Sequence, residues 1–229
     1  MPRKNLEYAR AIGEKVRAAR HRRQVSLREL AEKANTSASM LSQIETGKAF
    51  PSVRSIYNIA AALALPIDYF FPEQNMTSST QPEQNSHDTG EMTASEMREA
   101  TLNQKVKALA LEPALAPSDM AHVLHAAARP TIMLKGDVTW SRLTAVAEPQ
   151  IEFLEITYAC GATSGEYLSH HEGREFGLIL EGELVVQLGF KEYTLQTGDS
   201  IVFASTTPHR LENKSSGPMR ALWVVWNYA

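Results

Sequence analysis

Apolar residues recur three and four positions apart as far as about residue 71, and two positions apart from about residue 131 onward. The first spacing is that of helices with one buried face, the second that of half-buried strands. In the first part, Ile12, Val16 and Ala19 stripe a helix over 8–22, and Leu27, Leu30, Ala31 and Ala34 a second. Leu41 and Ile44 supply a third, and Val53, Ile56, Tyr57, Ala60 and Leu63 a fourth. Pro66 opens a short fifth helix, whose Ile67, Tyr69, Phe70 and Phe71 close a small core. Ser26 with Glu29 forms a capping box, Ser37 and Ser52 are N-cap residues, and Gly47 is a C-terminal stop. The expected architecture is a five-helix domain containing two short helices joined by a tight turn.

In the second part the runs Ile151–Tyr158, Phe176–Leu180, Leu184–Leu188, Ser200–Phe203 and Ala221–Trp226 are rich in β-branched and aromatic residues. Glycine-bearing turns at Gly136-Asp137, Gly161, Gly165, Gly182, Gly189, Gly198-Asp199 and Gly217-Pro218 separate them. Many short strands at close spacing predict an antiparallel β-barrel or jelly roll. From Pro72 to about Gly90 the chain turns to Gln, Asn, Ser, Thr and Pro, a composition that cannot bury a core and reads as a flexible linker. Thr93 with Glu96 starts a helical pattern towards Leu111, Pro113 and Pro117 interrupt it, and Asp119–Ala128 suits a further helical turn or two. The expected division is a helical domain over 1–72, a linker with a helix over 73–120, and a barrel over 121–229.

Charge sharpens this division. The net charge of −3 conceals 12 Lys/Arg against 6 Asp/Glu in residues 1–72, and 11 against 20 in the remainder. A basic head on an acidic body suits a phosphate-binding module attached to one that does not bind nucleic acid. The single cysteine, Cys160, excludes an internal disulfide framework and a Cys-based zinc site, and as a lone residue beside a strand it is expected to be a small buried hydrophobe. No apolar run is long enough for a membrane span, and the first residues do not lead into a signal-peptide core, so a cytoplasmic protein with no membrane partner is expected.

The outward positions of the third helix are Ala38, Ser39, Ser42 and Gln43, short or amide-bearing residues where a solvated face would carry Lys and Glu. Such a face suits close approach to base edges in a major groove. With L-x-x-L-A at Leu27–Ala31 and S-x-L-S-Q-I-E-x-G over 39–47, residues 8–71 resemble the DNA-binding domain of the phage lambda/434 repressor (Cro/C1, XRE-like) family. The resemblance implies that Ser37, Ala38, Ser39, Ser42 and Gln43 read bases and that Arg17, Lys48, Ser52 and Arg54 hold phosphates of an operator. It also implies that Arg20 pairs with Glu45 inside the domain.

The barrel carries His170-His171-Glu172-Gly173-Arg174-Glu175 ahead of Gly182, and Gly198-Asp199 ahead of Pro208-His209 and Asn213. These stretches resemble the two motifs of the cupin superfamily, H-x-H-x(3,4)-E-x6-G and a later His. Ser169 stands where the first His would be, leaving His171, Glu175 and His209. Two imidazoles and a carboxylate are a ligand set for one divalent metal, Fe, Zn, Mn or Ni. The alternative is a metal-free polar pocket for an organic effector. Residues four apart on a straight strand are roughly 13 Å apart, so the set requires a bend, which Gly173 permits. Asn213, two alternations beyond His209, is expected to line the pocket as well. His170 points away, and Trp140, Trp223 and Trp226 are expected in the core.

The combination resembles XRE-type regulators with a C-terminal cupin sensor. It implies a non-enzymatic, homodimeric transcriptional regulator that binds double-stranded operator DNA and a small-molecule effector. The plan is also similar to that of hydroxypropylphosphonate epoxidase, so a mononuclear non-haem iron oxygenase is the alternative. A DNA-reading face and a basic head, which an enzyme does not need, favour the regulator.

Overall fold

A computed structural model describes residues 3–72 and 122–227; the helix expected from Thr93 lies outside them. Four α-helices form the head: α1 (Arg3–Arg22), α2 (Leu27–Lys33), α3 (Ala38–Glu45) and α4 (Val53–Ala62). The hydroxyls of Ser26, Ser37 and Ser52 cap α2, α3 and α4 by accepting from the amides of Glu29, Met40 and Ser55. Each satisfies one of the amides that a helix start leaves without a partner. The expected fifth helix is a 3-10 turn over Ile67–Phe70. Pro66 before it and Pro72 after it leave too few residues for i→i+4 bonding, and Tyr69 N–H donates to the Pro66 carbonyl instead. Ala126–Ala128 is a second 3-10 turn.

The core of the head is closed by Val16, Leu30, Leu41, Ile56, Ile59 and Phe70, all almost fully buried. One charged pair crosses it. Arg20 Nε and Nη2 reach Glu45 Oε1 and Oε2 at 2.6 and 2.8 Å, a two-pronged geometry suited to guanidinium and carboxylate. The pair ties the end of α1 to the end of α3 and fixes the pitch of α3 against the domain. Gly13 on α1 permits the same close approach, because a Cβ there would lie 2.2 Å from the Ile44 carbonyl oxygen.

Nine antiparallel strands make the second part: β1 (Thr131–Leu134), β2 (Val138–Arg142), β3 (Ile151–Tyr158), β4 (Arg174–Glu181), β5 (Glu183–Leu188), β6 (Lys191–Gln196), β7 (Ser200–Ala204), β8 (His209–Glu212) and β9 (Met219–Trp226). One sheet has the order β1-β2-β3-β9-β4-β7, the other β6-β5-β8. Strict alternation along β3 and β9 sends Leu154, Ile156, Tyr158, Ala221, Trp223 and Val225 inward. β6 carries one buried residue, Leu195, and lacks the apolar alternation that marks the other strands. Its place is set by pairing with β5 across a tight turn at Gly189-Phe190. Two expectations about side chains fail. Trp226 is 43% exposed, because its position on β9 alternates away from the interior, and Cys160 is exposed in the turn after β3.

Head and barrel are in direct contact. The Lys135 amide donates to the Pro51 carbonyl at 2.9 Å, and Arg142 of β2 pairs with Asp68 at 3.2 Å with both side chains largely buried. Arg54 of α4 lies over the Tyr167 ring.

Glu45→Ala strands the Arg20 guanidinium, and by the usual range for removing one partner of a buried pair it should destabilise the head by up to about 3–5 kcal/mol. Denaturant unfolding followed by far-ultraviolet circular dichroism would read this as a lower midpoint for the helical transition, with the β-signal little changed.

Candidate functional site

His171 lies in the loop before β4, Glu175 on β4 and His209 at the start of β8. Glu175 Oε1 is 3.1 Å from His171 Nε2 and 3.2 Å from His209 Nε2. Gly173 supplies the bend between the first two. Its φ is +105°, and a Cβ would lie 2.5 Å from the Trp226 carbonyl oxygen, so a side chain there meets both strain and a clash. His209 is held by paired backbone bonds to Ser169, at 2.8 and 2.9 Å. Ser169, the position without the expected first histidine, lines the same cavity.

Protonation follows from the other ring nitrogens. His171 Nδ1 is 2.9 Å from the Glu172 carbonyl oxygen, and His209 Nδ1 is 2.9 Å from the Thr207 carbonyl oxygen. A carbonyl only accepts, so each Nδ1 carries a hydrogen, and in the neutral ring each Nε2 offers a lone pair. Two lone pairs then face Glu175 Oε1, a buried atom that receives no hydrogen bond among the described residues. Three acceptors converging without a donor call for a cation. These residues therefore fit a divalent metal, with Nε2, Nε2 and Oε1 as its ligand atoms. A proton is the other cation that answers. Burial disfavours charge on His171, but the facing Glu175 carboxylate outweighs it and raises its pKa; burial likewise pushes Glu175 up, and the imidazoles and Trp223 hold it below its ordinary value.

The other carboxylate oxygen, Oε2, accepts from Trp223 Nε1 at 2.8 Å. Trp223 reaches it because Gly177 has no side chain: a Cβ there would lie 2.3 Å from the indole. Trp223 is thus a site residue that alternation alone placed in the core. Asn213 is a correction in the opposite sense. It shares the inward face of His209, but its amide donates to the carbonyls of Tyr158, Ala159 and Gly217 and accepts from Ser215. It clamps the end of the barrel and does not line the cavity.

The cavity is covered by the head. Val53 and Tyr57, one turn apart on α4, line it together with Trp140, Leu154, Ile156 and Leu211. The Tyr57 ring stacks on His171 with centroids 4.4 Å apart and planes 12° apart, and meets Trp140 edge-on at 5.7 Å. Its hydroxyl donates to Glu152 Oε2 at 2.9 Å. Burial pushes the Glu152 carboxyl up to about 7. Burial and the nearby carboxylates also raise the Tyr57 phenol well above its ordinary value, so it remains a donor.

The expected DNA face is on the same helical head. Ser37, Ser39 and Gln43 are exposed, and Ala38 and Ser42 are half-buried along α3. Arg17 and Lys48 are exposed, whereas half-buried Ser52 and Arg54 line a groove shared with Lys135, Glu166 and Tyr167 of the barrel.

A helix-turn-helix domain family model matches residues 11–68, and a cupin domain family model matches residues 154–225. The chain joins a helix-turn-helix domain to a cupin domain. The HTH-type transcriptional regulator PuuR of Escherichia coli (strain K12) is 38% identical over 66 residues, 29% of this chain and 35% of PuuR. The chain thus matches about a third of the length of that relative. The crystal structure of an HTH_3 family transcriptional regulator from Vibrio cholerae covers 98% of this chain and 99% of its own, with a TM-score of 0.60 and 19% identity. That likeness is one of fold, and it extends over both domains. The structure of hydroxypropylphosphonic acid epoxidase from S. wedmorenis covers 95% of this chain and 98% of its own, at 18% identity and a TM-score of 0.40. No described helix of the cupin or of the helix-turn-helix domain is long and apolar enough to cross a membrane.

Three outcomes test the cupin centre. His171→Ala combined with His209→Ala should abolish stoichiometric metal uptake, read by elemental analysis after dialysis against a divalent metal, and Gly173→Ala should lower affinity at least tenfold by displacing His171. Metal and proton compete for the same Nε2 atoms. Because the His171 pKa is raised, the proton gains as the pH falls through that value, so metal affinity measured by competition with a chromophoric chelator should drop steadily from pH 8 to pH 5.5. A flat profile would mean that the imidazoles are not ligands.

Proposed function

We propose that this chain is a sequence-specific DNA-binding transcriptional regulator whose cupin domain binds a small-molecule effector and alters operator affinity. The observation that carries the reading is the outward face of α3. It is uncharged, with Ser39 and Gln43 exposed and Ala38 and Ser42 half-buried, and is presented by a domain whose caps, turn and buried Arg20–Glu45 pair are all in place. Ser37, Ala38, Ser39, Ser42 and Gln43 read base edges. Arg17 and Lys48 hold phosphates, joined by Ser52 and Arg54 once the groove they share with the barrel opens. The active species is a homodimer, since a two-fold operator is read by a two-fold protein. The effector acts by its differential affinity for two arrangements of head and barrel.

The metal, held by His171, Glu175 and His209, would supply a Lewis-acidic point for an effector's oxygen atom. The residues around it orient the site: Trp223 fixes the Glu175 carboxylate, the two backbone carbonyls fix the imidazole tautomers, and the apolar walls exclude bulk water. The same triad favours a second reading, a non-haem iron oxygenase.

The deciding experiment titrates the purified protein, with its metal content determined, against fragments of its own upstream DNA at fixed salt. Specific binding with a steep salt dependence supports the regulator, whereas stoichiometric iron without specific DNA binding supports the oxygenase. Within the regulator reading, Gln43→Ala should weaken specific binding by about 1–3 kcal/mol, as for a lost bidentate base contact, and leave non-specific binding unchanged. Unaltered operator affinity would remove Gln43 from the reading face.

A further inference from the structure

The cupin cavity already has an organic occupant, and that occupant belongs to the DNA-binding head. With Val53 and Tyr57 in place the remaining cavity is about 20 Å³. One water needs about 10–15 Å³ on the same measure. As it stands the site has room for little more than a metal ion or a water. An effector that reaches the triad has to take space that α4 now fills.

We propose that Tyr57 is a built-in competitor for the effector: the ligand is a phenol-class aromatic that takes the place of the Tyr57 side chain and releases α4 from the barrel. This rests on the regulator reading only for its consequence at the operator. The chemistry of the ligand follows from what Tyr57 satisfies. His171 presents a ring face at 4.4 Å, Trp140 an edge-to-face contact at 5.7 Å, and Glu152 a carboxylate oxygen that accepts the phenol hydrogen. A replacement has to be planar and has to donate a hydrogen bond at the same point, otherwise the Oε2 atom of buried Glu152 loses its donor and only Asn227, on Oε1, remains. Two further groups near this pocket lack partners. Glu175 Oε1 receives no hydrogen bond, and the buried indole N–H of Trp140 has no acceptor among the described residues. A ligand bearing one more oxygen than tyrosine can satisfy the indole N–H, which Tyr57 leaves unpaired.

Displacement has a structural consequence in the head. Tyr57 and Val53 share one face of α4, and Arg54, between them in sequence, lies over Tyr167 of the barrel. Withdrawing the face that carries Tyr57 moves the helix that also bears Ser52 and Arg54. Both residues line the groove against Lys135, Glu166 and Tyr167. Tyr57 at the effector site and Arg54 and Ser52 at the phosphate-facing end therefore lie within about two turns of one helix.

The test uses the full-length protein and p-cresol, the tyrosine side chain as a free molecule. Calorimetric titration is done on wild type, Tyr57→Ala and Tyr57→Phe, and hydrogen exchange of Val53–Ala62 is followed with and without p-cresol. The expected result is that Tyr57→Ala binds p-cresol at least tenfold more tightly than wild type, while Tyr57→Phe, which keeps the ring but not the hydroxyl that donates to Glu152, falls between the two. In wild type, millimolar p-cresol should raise exchange in Val53–Ala62 several-fold and leave β4 and β9 protected; in Tyr57→Ala it should add nothing in α4. Retained protection of β4 and β9 in each variant shows that the barrel is folded. The proposal is overturned if a folded Tyr57→Ala binds p-cresol no better than wild type, if Tyr57→Phe behaves like Tyr57→Ala, or if p-cresol saturates wild type without changing exchange in α4. None of these readouts involves DNA, so loss of the regulator reading in the operator titration would leave them interpretable.

Discussion

A carboxylate buried beside two imidazoles is the constraint on which the barrel is built. An ionised group in an apolar interior is costly unless it is paired and hydrogen-bonded. Trp223 meets that demand on one oxygen of Glu175, and on the other His171 and His209 converge so that a cation shared among the three would complete it. Each partner places its own demand on the chain. Trp223 requires Gly177 opposite it, His171 requires a left-handed Gly173, and His209 requires the backbone pairing with Ser169. A change at either glycine acts on the site through a neighbour, without removing any ligand.

The second constraint is that the site is not closed by the barrel alone. In a free-standing cupin the mouth above His171 would open to solvent, exposing Trp140 and the buried Glu152 carboxyl. Here α4 covers it, with the Arg142–Asp68 pair and the Lys135–Pro51 hydrogen bond fastening the edges. Those polar fastenings flank an apolar contact, Val53 and Tyr57 against Trp140 and its neighbours, and the two sides can part only where something replaces it. On the proposed reading, a domain that reads DNA and a domain that binds ligand would be coupled by direct competition for one surface, with no long relay of side chains between them.

Much of this was legible in the sequence. Periodicity placed the helices and the strongest strands, the caps at Ser26, Ser37 and Ser52 marked three helix starts, and the offset between His171 and Glu175 singled out Gly173 as a bend. What escaped has a common cause. Tyr57 reads as core by spacing, and it is core, but of the joint between two domains 95 residues apart in sequence at its Glu152 contact. No local pattern encodes that distance. Trp223 and Asn213 both lie on inward faces; alternation gives the face, but not the depth along the strand or the partner met there. The fifth helix failed because two prolines bracket a segment too short for an α-turn ladder, and β6 escaped because a strand with one buried residue has no period to detect.

The energetics of the closed mouth also limit which molecules can open it. A side chain tethered in the same chain competes at an effective concentration of roughly millimolar. A free molecule that only reproduces its contacts must therefore be present at comparable concentration to displace half of it. Tighter binding needs a contact that tyrosine does not make. The geometry offers two, the indole N–H of Trp140 and the unpaired Oε1 of Glu175. Each contact worth about 1.4 kcal/mol lowers the required concentration tenfold. Two such contacts would take a millimolar competitor to about ten micromolar, a range in which a small molecule can act as a signal. On the proposed competition, the unpaired Trp140 Nε1 and Glu175 Oε1 are what would let the site discriminate an effector from its own tyrosine.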